Sequence, residues 1–140
     1  MEYDCIETAK RLHDKSFVAD THFDLLPLVW GRRQRGESRV IENRYIPIFK
    51  QGGIDLVVSS LFVSDEYLPE MALRRALDYI SLFYKEMEES PGLFSLCRNV
   101  EEIKKAKSAG MVAVLLSFEG AEPLGNDINL LRIFYELGVR

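Results

Sequence analysis

The 140-residue sequence is sparing with the residues that brace or catalyse: it has two cysteines, two histidines and one tryptophan. Cys5 and Cys97 stand far apart with no Cys-x-x-Cys spacing, which excludes a disulfide framework and a thiolate zinc site and leaves buried, reduced thiols as the expectation. A basic surplus is missing as well. With 18 Lys and Arg against 22 Asp and Glu, the formal charge of -4 argues against a nucleic-acid footprint and against adsorption to an anionic membrane. No run approaches the roughly 20 apolar residues that span a bilayer. The start MEYDCIETAK lacks both the basic region and the apolar core of a secretion signal, so a cytoplasmic chain is expected. Neither a Gly-Lys-Ser/Thr phosphate loop nor a G-x-G-x-x-G opening a helix occurs, which leaves nucleotide binding unsupported.

What is present is the composition of an ordinary globular chain, 47% hydrophobic and 29% charged. Apolar positions Cys5, Ile6, Ala9 and Leu12 predict a lead-in helix over 3–15. Residues 16–20 read as a short buried strand running into the polar cluster Asp20-Thr21-His22-Phe23-Asp24. Over 31–44 apolar residues thin out while Arg32, Arg33, Arg35, Arg39 and Arg44 accumulate, the pattern of a solvated loop with Glu37 and Glu42 as counter-charges. A short helix over 45–51 stops at Gly52-Gly53, and a second buried strand covers 54–63. An amphipathic helix over 68–89 ends before Pro91-Gly92, 94–97 suggests a short extra strand, and Asn99 caps a helix that closes at Gly110. A third buried strand over 111–118 ends at Glu119-Gly120, and a last helix over 126–137 stops at Gly138.

Buried strands alternating with helices imply a parallel sheet with right-handed crossovers, either a barrel or a doubly wound sheet, and in both the chemistry gathers at the carboxyl ends of the strands. A (β/α)8 barrel needs about 250 residues. Residues 1–140 would then form a single partial domain, the first βα units of a barrel, with the next strand due at Gly138-Val139-Arg140.

Two strand ends carry ligand-type side chains: His22 and Asp24 after the first, Glu119 after the third. Residues i and i+2 share a face of an extended chain, so His22 and Asp24 can offer one imidazole and one carboxylate to a single cation. A glutamate from another strand adds oxygens that can bridge two cations. His13, beside Asp14 and Lys15, reads instead as part of a solvated helical face. Ser59, Ser60 and Ser117 have no base next to them in sequence, which makes covalent catalysis a minor option.

These residues resemble the membrane (renal) dipeptidases and their bacterial relatives, metallopeptidases of family M19. The stretch Val18-Ala19-Asp20-Thr21-His22-Phe23-Asp24-Leu25-Leu26-Pro27 is similar to that family's Asp-x-His-x-Asp-x-Pro signature, with one additional leucine before the proline. Gly52-Gly53-Ile54-Asp55 leading into Leu61-Phe62-Val63 looks like its second strand. The most specific part is the strand ending Ser117-Phe118-Glu119-Gly120, followed by Tyr135-Glu136-Leu137-Gly138-Val139-Arg140. The resemblance implies the N-terminal portion of a (β/α)8 barrel with two zinc ions, His22 and Asp24 binding one and Glu119 bridging both. It also implies a dipeptide as substrate; the acidic charge speaks against nucleic acid and membrane as partners, and a homo-oligomer stays open. The family's two later histidine ligands fall outside this sequence, and where some relatives carry Gly-His after the Glu-Gly this chain has Ala121-Glu122. Two alternatives stand beside this reading: another barrel amidohydrolase acting on cyclic amides or esters, and a catalytically silent barrel fragment.

Overall fold

The computed structural model describes residues 5–140. In chain order these form α1 (Cys5–Lys15), β1 (Ala19–Phe23), α2 (Leu25–Arg33), a π-helical turn (Ile41–Tyr45) running into α3 (Ile46–Gln51), β2 (Leu56–Phe62) and α4 (Ala72–Glu89), then β3 (Phe94–Leu96), α5 (Val100–Ser108), β4 (Val112–Glu119) and α6 (Leu130–Glu136). The sheet order is β1-β2-β4-β3 and every pairing is parallel. β2 and β4 lie at its centre, as their nearly continuous apolar sequences require. Their ladder runs from Leu56 opposite Ala113 to Phe62 opposite Glu119. The short extra strand β3 covers only the first part of the far edge of β4; further along, Val139 bridges to Leu116, where the following strand was expected to start.

Alternation along the strands separates two faces. Val57 and Leu61 of β2 with Val114 and Leu116 of β4 pack against Leu25, Leu26 and Val29 of α2, Ile80 and Phe83 of α4 and Phe134 of α6. Burying each such side chain stabilises the fold by about 1.5–3 kcal/mol. The opposite face carries Ser60, Ser117 and Glu119.

At the amino ends of the strands one carboxylate joins three segments. Asp55 Oδ2 accepts from the Val18 amide at 2.9 Å and from Lys107 Nζ at 2.6 Å, and Lys107 also donates to the Ser16 carbonyl. The Val18 carbonyl takes the amides of Asp55 and Leu56. These bonds make the regular ladder begin at Ala19 opposite Leu56, so β1 occupies 19–23 rather than the expected 16–20 and contains His22. β1 is also an edge strand among the described residues, which leaves its side chains exposed or half-buried where a buried strand was expected.

Two further expectations need correction, and one helix was not anticipated. Residues 31–44 are not a solvated loop: Arg33 pairs with Glu86 and Glu89 on α4, Arg32 and Arg44 with Glu37, and Arg39 with Glu42, while Val40 and Ile41 are buried. α2 forms despite Pro27 and Gly31, because a proline in the first turn sacrifices no helical hydrogen bond and Leu25, Leu26 and Val29 are fully buried. α1 forms but buries no residue, with Ile6 and Leu12 exposed, so Cys5 is an exposed thiol. Cys97 is buried as expected, and burial pushes its thiol pKa up. The expected start of α1 at Tyr3 lies outside the described residues. His13, on the exposed face of α1, ties that helix to the body through a 2.9 Å contact from Nε2 to the Gly52 carbonyl. Among the described residues no helix is long and apolar enough to cross a membrane.

Candidate metal centre

β1 and β4 flank β2 and deliver their last side chains to one rim. His22 comes from β1, Asp24 from the first position after it, and Glu119 from the last residue of β4. One ligand-type atom from each lies within 4.8 Å of the others. His22 Nε2 stands 3.2 Å from Glu119 Oε2 and 4.0 Å from Asp24 Oδ1. The three residues singled out from the sequence are thus brought together, across 97 positions between His22 and Glu119. The side chains are 61%, 47% and 39% exposed for His22, Asp24 and Glu119, so a ligand can approach them.

The arrangement passes a test of fit for a divalent cation. Donors about 2.0–2.2 Å from a zinc ion stand roughly 3–4 Å from one another, as His22 Nε2 does from each of the two carboxylates, and all three atoms lie within 4.8 Å. Glu119 Oε2 is itself buried and accepts no hydrogen bond, although His22 Nε2 is close by. A buried carboxylate oxygen without a donor is costly unless a charged group completes it. One imidazole with two carboxylates suits zinc or a neighbouring transition metal better than a purely oxygen-loving cation.

Local structure explains how the side chains arrive there. Gly120 follows Glu119 at φ +90°, a conformation that L side chains rarely adopt, so glycine lets the chain turn away directly after the glutamate. Asp20 Oδ1 accepts from the His22 amide at 3.1 Å, bracing the backbone of the histidine. Asp24 occupies the N-cap position of α2 yet makes no side-chain cap bond; its Oδ1 accepts instead from the hydroxyl of Ser60 on β2. Sequence reading missed Ser60 as part of this centre, because nothing local distinguishes Ser60, whose hydroxyl has a partner, from Ser59, whose hydroxyl has none. Arg32, Arg33, Arg39 and Arg44 pair with carboxylates of the same segment and of α4.

A sequence profile of the membrane dipeptidases, peptidase family M19, matches residues 6–140. Among solved structures, the chain is similar to a dipeptidase described as a metallopeptidase of family M19, with a TM-score of 0.77 and 24% identity over 89% of this chain and 41% of that one. It is similar as well to a metallopeptidase from Rhodobacter sphaeroides liganded with a phosphinate mimic of the dipeptide L-Ala-D-Ala, with a TM-score of 0.75 and 22% identity over 89% of this chain and 44% of that one. A probable dipeptidase, PvdM, from Pseudomonas aeruginosa gives a TM-score of 0.76 at 15% identity over 96% of this chain and 36% of that one. The chain therefore spans less than half the length of these structures, and its parallel sheet with crossover helices is the N-terminal portion of a (β/α)8 barrel.

Proposed function

The chain belongs to the membrane dipeptidase family, peptidase family M19, and from that premise we propose that it supplies half of the metal centre of a zinc-dependent dipeptidase. The observation that carries the reading is the convergence of His22, Asp24 and Glu119 at one rim of the sheet. In it His22 and Asp24 would hold one zinc ion and Glu119 would contribute its carboxylate to both, with the remaining ligands supplied by residues outside this sequence. When bound, such a metal pair would lower the pKa of water toward neutrality and polarise the scissile carbonyl. The residues of this chain supply the geometry. Glu119, at the end of the central strand β4, brings its carboxylate to within 3.2 Å of His22 Nε2 on β1; His22 is braced through Asp20, and Asp24 through Ser60. Water adds across the amide, the C–N bond breaks, and two amino acids leave.

The dipeptide as substrate is supported by the family and by the dipeptide mimic held by the Rhodobacter sphaeroides relative. A second reading, hydrolysis of a different amide, draws on a likeness to an amidohydrolase from Pseudomonas aeruginosa, with a TM-score of 0.67 at 20% identity.

The test uses the full-length protein. Elemental analysis should find about two zinc ions per chain, and the zinc-loaded protein should release amino acids from simple dipeptides and lose that activity to chelators. Turnover of cyclic amides with no turnover of any dipeptide would transfer the assignment to the second reading. Absence of tightly bound transition metal would overturn both.

A further inference from the structure

We propose that Ser60 is the positioning residue of this centre: its hydroxyl sets the orientation of the Asp24 carboxylate, and so the affinity for the cation, without touching the cation itself. The inference rests on the metal reading above and adds to it a residue outside the ligand set.

Three observations converge on Ser60. First, it is 1% exposed on β2, and unlike its equally buried neighbour its hydroxyl has a partner, donating to Asp24 Oδ1. Second, Asp24 forgoes the bond that its own position offers. An N-cap aspartate ordinarily accepts from the second or third amide of its helix, and Asp24 makes no such bond with α2. The direction of its carboxylate is set from β2 rather than by the helix it precedes.

Third, the register of β1 is altered in the way that brings the two together. Asp20 pairs with Val57 but Phe23 pairs with Ser59, so β1 uses three steps where β2 uses two. In a uniform ladder Phe23 would stand opposite Ser60 and Asp24 one residue further on, opposite Leu61. The extra residue pulls Asp24 back level with Ser60, which is what bulges do when they re-aim a side chain. A carboxylate has about four lone-pair sites, so engaging one with Ser60 fixes the plane of the group and leaves others for a cation. Second-shell donors of this kind typically alter metal affinity by about 10–100-fold.

The neighbouring residue is an internal control. Ser59 is fully buried like Ser60 but faces the helices, and its Oγ has no hydrogen-bond partner. Removing its hydroxyl takes away nothing that reaches the rim.

The experiment titrates zinc into metal-stripped full-length protein against a chromophoric chelator, with no substrate present, for wild type, S59A, S60A, S60T and S60V, each checked by its apo melting curve. S60A is expected to bind zinc about 10–100-fold more weakly than wild type, and S59A to stay within about twofold. Threonine and valine have nearly the same shape and differ in the hydroxyl, so S60T should bind at least about tenfold more tightly than S60V even if both shift the melting point. Equal affinities for S60A and wild type, equal affinities for S60T and S60V, or an equal loss in S59A and S60A would overturn the role of Ser60. Wild type that binds no zinc would overturn the metal reading itself, a distinct outcome.

Discussion

Two glutamates of this chain, Glu86 and Glu119, sit in opposite circumstances. Glu86 on α4 is fully buried, and both its oxygens are used: Oε1 accepts from Arg33 at 2.6 Å and Oε2 from the Ile41 amide at 2.8 Å. Around it Glu89 shares the same arginine, and the Ser90 hydroxyl donates to Glu42. Glu119 is 39% exposed, yet its one buried oxygen accepts no hydrogen bond. The more deeply buried charge is the more fully bonded, and the more open one is incomplete. A carboxylate that serves the fold completes its bonds within the protein, whereas one left unfinished at an open rim has room for a ligand, the role proposed for Glu119.

The largest expected effect attacks the structural side of that contrast. Glu86→Ala leaves the Arg33 guanidinium and the Ile41 amide without their acceptor, and loss of one partner of a buried ion pair destabilises by about 3–5 kcal/mol. Denaturant unfolding should show that loss, while zinc affinity in the fraction that remains folded stays unchanged. A loss below about 1 kcal/mol would mean that the network is dispensable and would dissolve the distinction. Next in size is Glu119→Ala in the full-length protein, expected to lower kcat/KM on dipeptides by about 100-fold or more. Its stability should move by no more than about 0.5 kcal/mol, as for a surface substitution. Undiminished turnover in that variant would make Glu119 an ordinary strand-end carboxylate.

The smallest effect is a pH dependence on the structural side. The hydrogen bond from Arg33 holds the Glu89 carboxyl below the usual range. Its folded pKa therefore lies below its unfolded one, so its contribution is full above the unfolded value of about 4.3 and is lost as pH falls through the folded pKa. Glu89 is 28% exposed, and a pair of that kind contributes about 1 kcal/mol or less. Wild type should lose slightly more stability than Glu89→Gln between about pH 6 and pH 3. Identical pH profiles would remove Glu89 from the network.

The same contrast marks how far the sequence could be read. β2, α4, α5 and β4 show their periodicity and stops in the chain itself, down to Asn99 accepting from the Glu102 amide as the cap of α5. His22, Asp24 and Glu119 were legible because strand ends can be read from apolar runs, and parallel topology sends those ends to one rim. The arginines of 31–44 were not, since the acceptors of Arg33 lie 53 and 56 residues away on α4 and nothing local distinguishes a paired arginine from a solvated one. α2 was hidden by Pro27 and Gly31, whose local preferences are overridden by the burial of Leu25, Leu26 and Val29. Ser60 stayed hidden because its partner depends on one extra residue in β1, and register does not appear in a hydrophobicity pattern.

Asp55, at the amino end of β2, bears on how such a protein can change over generations. Through Val18 and Lys107 it ties together segments 37 and 52 residues distant, all at the rim opposite His22, Asp24 and Glu119. Strands that slip by one residue move about 3.3 Å and turn every side chain to the wrong face. With alignment set at one end of the sheet, the loops at the other can lengthen, shorten or exchange residues, as with Ala121-Glu122 after the Glu-Gly, while the strands that present His22 and Glu119 keep their relative positions. Substrate preference can then drift at the carboxyl ends of the strands without the frame having to be rediscovered.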